Sequence, residues 1–128
     1  MNPYAKSNVY LEQSVLTASP GQLVVLLYDG IVRFLRQSHA AMGEGATAHA
    51  HERLNRAVAI VDELQVTLDM SQGEIANNLD GIYVFWRKCL WEVRLHNDRD
   101  KLERVIGMVS DLREAWAQIA QSAEAPIA

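Results

Sequence analysis

Four histidines, one cysteine and 16 acidic residues are the side chains of this 128-residue chain that could do chemistry. Their spacing decides how far that goes. His49 and His51 are two positions apart, so on a helix they diverge by roughly 200° and cannot share a metal ion. His51-Glu52 opens like a zinc-protease motif, but Asn55 stands where the second histidine should be. No Glu has a His three residues further on, the pattern of di-iron helical bundles. Gly43-x-Gly45 follows no strand and lacks the Lys-Ser/Thr of a phosphate cradle. Asp62 and Glu63 are adjacent and point apart on a helix, which describes a solvated face. Cys89, between Lys88 and Leu90 in an aromatic stretch, reads as a small buried side chain rather than a reactive thiol. These residues describe no enzyme, no cofactor and no metal site.

The composition excludes further classes. Acidic and basic residues are spread evenly, 5 basic against 7 acidic up to Met70 and 7 against 9 beyond it, for a net charge of −4. No basic patch for nucleic acid emerges. The longest apolar run, Leu23 to Tyr28, is six residues, far short of the ~18–20 of a membrane span. Met1 to Ser14 has no signal-peptide apolar stretch. A single cysteine cannot close a disulfide within the chain and suits a reducing compartment. The expectation is one cytosolic domain without membrane insertion, whose 49% hydrophobic residues can build a core unaided.

Past residue 19 the apolar residues recur at three and four, the helical period. Ser19-Pro20-Gly21-Gln22 is a capping box with proline at the first helical position, and opens a helix over about 20–42. Its stripe is Leu23, Leu27, Gly30/Ile31, Phe34, Ser38 and Ala41, and Gly43-Glu44-Gly45 ends it. A second helix over about 48–68 turns Leu54, Ala57/Val58, Val61, Leu64 and Leu68 inward. Ser71 and Glu74 form a further capping box for a third, 74–96, with Ile75, Leu79, Ile82/Tyr83, Trp86, Leu90 and Val93 inward. Asp98 caps a fourth, 99–121, with Leu102, Val105, Val109, Leu112, Trp116 and Ile119 inward. Short connections make neighbours antiparallel, so the fold class is all-α, an up-down four-helix bundle over 17–122. Residues 1–16 form an N-terminal arm that packs on the bundle, and 123–128 a disordered tail.

One stripe per helix suffices for such a core, and this chain carries more. Ile60, Val66, Val84, Trp91, Leu95, Ile106 and Met108 lie off the stripes, and the first helix is apolar nearly all round. The surplus fits a groove for apolar helices of another protein. The candidate groove residues are Tyr28, Ile31, Leu35, Ile60, Val84, Trp91 and Leu95. Ser19, Pro20, Gln22, Gly30, Trp86 and Trp116 are assigned to structure, with Gly30 admitting a neighbouring helix. The arm's apolar residues Tyr4, Val9, Tyr10, Val15 and Leu16 would be a displaceable lid over the groove, or a permanent staple. A homodimer through the vacant groove, or an adaptor without a secretion role, would suit the same surplus.

Four ordered blocks also carry a resemblance: Thr17-Ala18-Ser19-Pro20-Gly21-Gln22-Leu23, Leu27-Tyr28-Asp29-Gly30, Gly73-Glu74-Ile75-Ala76-x-Asn78-Leu79 with Ile82-Tyr83, and Leu112-Arg113-Glu114-Ala115-Trp116. In these the chain resembles the FliS family of flagellar secretion chaperones. It departs in helix three, where Val84-Phe85-Trp86-Arg87-Lys88 replaces the usual Asp-Tyr-Met-x-Arg-Arg. The resemblance implies a helical bundle without enzymatic activity that binds the C-terminal region of flagellin and prevents its premature polymerisation. It also implies delivery to the export gate of the flagellar type III apparatus, with the N-terminal residues taking part in docking.

Overall fold

The computed structural model describes residues 18–124. The arm expected over residues 1–16, with Tyr4, Val9, Tyr10, Val15 and Leu16, lies outside the described residues. So does the end of the expected tail.

Helix α1 (Pro20–Gly43) starts as its residues dictate. The Ser19 hydroxyl accepts the Gln22 backbone N–H at 3.2 Å, and the Gln22 side chain accepts the Ser19 N–H at 3.0 Å. The chain then turns through Gly45 at φ +74°, a conformation that favours glycine. Helix α2 (Thr47–Val66) stops two residues before the expected Leu68, where the Thr67 hydroxyl donates to the Leu64 carbonyl. The link that follows departs from expectation. Asp69 caps a 3₁₀ turn over Met70–Gln72 and takes both the Ser71 N–H and its hydroxyl. Ser71 is thereby spent, and α3 (Glu74–His96) begins from Gly73 at φ +68° with no side-chain cap. Asn97 closes α3 in the left-handed conformation. Asp98 then accepts the Lys101 N–H to open α4 (Arg99–Glu124), three residues longer than expected.

The four helices pack as an antiparallel ring in which α1 lies most closely against α2 and α4, and α3 closes the circle less extensively. Two close approaches hold α1. A methyl group on Gly30 would sit 3.0 Å from the Ile60 Cδ1 atom of α2, and one on Gly21 would meet Ala120 of α4 at 3.0 Å. The second contact explains a correction. Ala120, not Ile119, points inward because only a small residue fits beside Gly21; Ile119 is exposed. At the start of α3, Ala76 takes the inward place expected of Ile75, which faces solvent. On α4 the buried stripe is wider than expected and takes in Ile106.

At the centre, Tyr28 of α1 and Tyr83 of α3 share a hydrogen bond of 2.7 Å between their buried hydroxyls. The Trp86 ring meets Tyr28 edge-on at 6.0 Å, and Trp116 of α4 lies 6.4 Å away. Trp86 is buried, and Trp116 is half-buried against the core. Burial, followed by the shared hydrogen bond, raises the Tyr28 hydroxyl far above the usual phenol range; burial also raises Tyr83.

Deleting one hydroxyl strands the other in the core. Tyr28→Phe or Tyr83→Phe should each cost about 1–3 kcal/mol in urea unfolding, and the double variant less than their sum. Simple additivity would show that the hydroxyls do not act as a pair. Because an unfolded tyrosine ionises near ~10, the unfolded chain releases protons above that pH which the folded chain keeps. The contribution of the pair is therefore complete below ~pH 10 and declines above it. The double variant should show a smaller alkaline loss.

Candidate functional site

Among the described residues, no group of three His, Cys, Asp or Glu side chains is placed to hold a metal ion. His49 is exposed and His51 half-buried, on α2. Cys89 is buried, and burial pushes its thiol up against the opposing pull of nearby Lys101, Lys88 and Arg104. What the surface does offer is apolar area.

Eight large apolar residues of the described chain are exposed, and five of them belong to α3: Ile75, Val84, Phe85, Trp91 and Leu95. The heptad-like spacing of Val84, Trp91 and Leu95 places them on one line. That line runs along the side of α3 opposite the buried Tyr83, Trp86, Leu90 and Val93. Trp91 is 60% exposed, unusual for a side chain of such apolar area. Phe85 instead faces α4. With Ile82, Trp86, Met108, Leu112 and one carboxylate, Asp111, it lines a cleft of about 360 Å³. A second, charged recess of about 540 Å³ lies between α1 and α4, around Asp29, Arg33, Arg36, Asp111, Arg113 and Glu114. Arg113 crosses it, donating to Asp29 at 2.8 Å.

Polar clasps along its edges hold α3 in this rotation. Towards α2, Arg87 reaches Asp62 at 3.4 Å, Gln65 donates to Asp80 at 2.7 Å, and Arg94 donates to the His51 carbonyl. Towards α4, Lys101 pairs with Glu92. Exposed pairs of this kind contribute little individually; the burial of Tyr83, Trp86, Leu90 and Val93 is what leaves the outer face of α3 to solvent.

The structure divides the expected groove. Val84, Trp91 and Leu95 are exposed on the outer face of α3. Tyr28, Ile31 and Leu35 are fully buried, so their placement in an accessible groove is corrected. In a helix as apolar as α1 the pattern leaves the rotation open, and the Tyr28 hydroxyl decides it by pairing inside. Ile60 is half-buried and packs over Gly30, joining α1 to α2 rather than lining a groove. Phe85, Ile82 and Leu112 line the cleft towards α4; the last two also pack against the core, in keeping with their stripe positions. Ser19, Pro20 and Gln22 lie at the start of α1, and Gly30 lies against Ile60 of α2.

Fold and surface together define a helical bundle with an exposed apolar face. The sequence profile of the family described as Flagellar protein FliS matches residues 1–123, and the chain belongs to that family. Among its relatives, the flagellar secretion chaperone FliS of Salmonella typhimurium is 36% identical over 121 residues, covering 93% of this chain and 90% of the relative. The proteins of that name in Bacillus subtilis and Vibrio cholerae are each 34% identical, covering 94% and 90% of this chain and 88% and 85% of their own lengths. The family is one of flagellar secretion chaperones without enzymatic activity, so the chain is not an enzyme. No helix of the described residues is long and apolar enough to cross a membrane.

The buried thiol gives a direct check on the core. At pH 8 the folded protein should react with a thiol reagent at least about tenfold more slowly than the urea-unfolded chain. Equal rates would place Cys89 at the surface.

Proposed function

We propose that this chaperone binds the C-terminal region of flagellin in the cytosol, keeps it from premature polymerisation, and passes it to the flagellar type III export gate. The reading is supported by the chain's membership of a family of flagellar secretion chaperones and, above all, by the exposed apolar line of Val84, Trp91 and Leu95 on α3. The neighbouring cleft at Phe85 and Leu112 offers further anchorage.

The mechanism is competition for apolar stripes. A flagellin segment that would bury its apolar side chains against other flagellins buries them on the chaperone instead. Each buried Leu or Phe of the cargo contributes roughly 1.5–3 kcal/mol before ordering costs. A disordered segment loses ~2–5 kcal/mol or more on folding against its partner, so several anchors must act together. At 23 residues, α3 is about 35 Å long and can present them in series. Separate anchors also permit release segment by segment at the gate, which needs no chemical step.

Co-purification with full-length flagellin and with flagellin lacking its C-terminal region tests the reading. Only the full-length protein should be retained. Trp91→Asp should weaken retention about tenfold or more while helical circular dichroism is kept. Leu35→Asp, which places a charge in the core, should instead lose the helical signal. Equal retention of both flagellins, or a folded Trp91→Asp protein with unchanged affinity, would overturn the reading.

A further inference from the structure

The outer line of α3 is more than apolar. Lys88 is exposed on the same line, between Val84 and Trp91, and has no ion pair among the described residues. Arg94 flanks Trp91 on the next turn. It donates to the His51 carbonyl, a neutral partner that leaves its charge uncompensated. Arg87 leans away to Asp62 of α2, and Glu92 is drawn round towards α4 by Lys101. In a chain of net charge −4, the stretch from Lys88 to Leu95 therefore carries two cations without an ion pair of their own among the described residues. Glu92 is engaged by Lys101, and Asp80, held by the neutral Gln65, lies beyond Val84 at the other end of the line.

We infer that this face docks an amphipathic helix whose apolar stripe is flanked by acidic side chains. The inference rests on the reading of the face as a cargo surface and adds the sign of charge that the cargo must bring. An occupant wide enough to cover Trp91 and Leu95 removes water from Lys88 and Arg94. Carboxylates beside its apolar stripe then compensate both cations, whereas a basic helix would leave them buried against like charge. The same argument disfavours a second copy of the chain. Two such faces set against each other would bring Lys88 and Arg94 close to their own counterparts.

The test uses two designed peptides of about 20 residues, one α3 length, sharing one Leu/Ile stripe and flanked either by Glu or by Lys. Binding to the full-length protein is read from tryptophan emission, since Trp91 is exposed while Trp86 is buried. The Glu-flanked peptide should bind at least about tenfold more tightly at low salt, with the preference shrinking as salt rises. The folded Lys88→Glu/Arg94→Glu protein should reverse the order, and Lys88→Gln should reduce it by part. Trp91→Ala should remove the emission change, which places the peptide on this face. Equal binding, preference for the Lys-flanked peptide, an unaltered preference in the charge-reversed protein, or no binding of either peptide would overturn the inference. Flagellin retained without any charge preference sinks this inference alone; a clear preference in a protein that retains no flagellin sinks the export reading alone.

Discussion

A single buried contact organises this bundle: the hydroxyls of Tyr28 and Tyr83, joined across the core between α1 and α3. A phenol group taken out of water without a partner is costly, so each hydroxyl is tolerated only where the other meets it. That requirement sets the rotation of α1, which its nearly continuous apolar sequence does not. It also places α3, whose hold on its neighbours is otherwise the weaker. Trp86 and Trp116 pack round the pair, and Asp29, next to Tyr28, reaches out to Arg113 of α4. Three of the sequence blocks that carry the family resemblance thus meet in one place, from α1, α3 and α4.

From that fixed point the outward character of α3 follows. One side supplies Tyr83, Trp86, Leu90 and Val93 to the core, its edges are clasped to α2 and α4 by polar contacts, and the remaining line is left to water. A chain that needed only to fold would put Lys or Glu where Val84, Trp91 and Leu95 stand. Their exposure is a cost in solubility that makes sense for a surface with a partner. On the proposed reading the helix therefore serves two interiors, that of the bundle and that of a complex.

Much of the architecture was legible in the residues. The Ser19/Gln22 box, the Gly43-Glu44-Gly45 stop and the Asp98 cap act through local chemistry, and local chemistry can be read from adjacent positions. The stripe of α2 came through because few apolar residues compete there, and that of α3 because Tyr83, Trp86, Leu90 and Val93 keep the three-four spacing through an apolar run. Three kinds of feature did not. Ser71 was matched to Glu74, but Asp69, closer in the chain, claims it first. Ile119 and Ile75 are apolar and correctly phased within a residue, yet the inward places go to Ala120 and Ala76. For Ala120 the reason is a contact with a glycine 99 positions away, and no local pattern records it. Tyr28, Ile31 and Leu35 sit in a run where every rotation looks equally good, and a pairing 55 residues distant settles the matter. The candidate site was accordingly half visible: Val84, Trp91 and Leu95 fall off the regular stripe of α3, while the continuous apolar run of α1 leaves no stripe to fall off.

The looser seating of α3 has an evolutionary consequence. Residues that secure the fold (Tyr28, Leu54, Val61, Val105) are shut off from water, whereas the proposed client residues Val84, Trp91 and Leu95 are exposed. Substitutions on the outer line of α3 can therefore accumulate with little penalty to the scaffold. A lineage whose client changes can retune its chaperone by drifting along one helical line, while selection on folding acts on the opposite side of the same helix. In the run Val84-Phe85-Trp86-Arg87-Lys88 the buried Trp86 follows the exposed Val84 and Phe85, so the side that holds the fold and the side proposed for the client are interleaved within the one run.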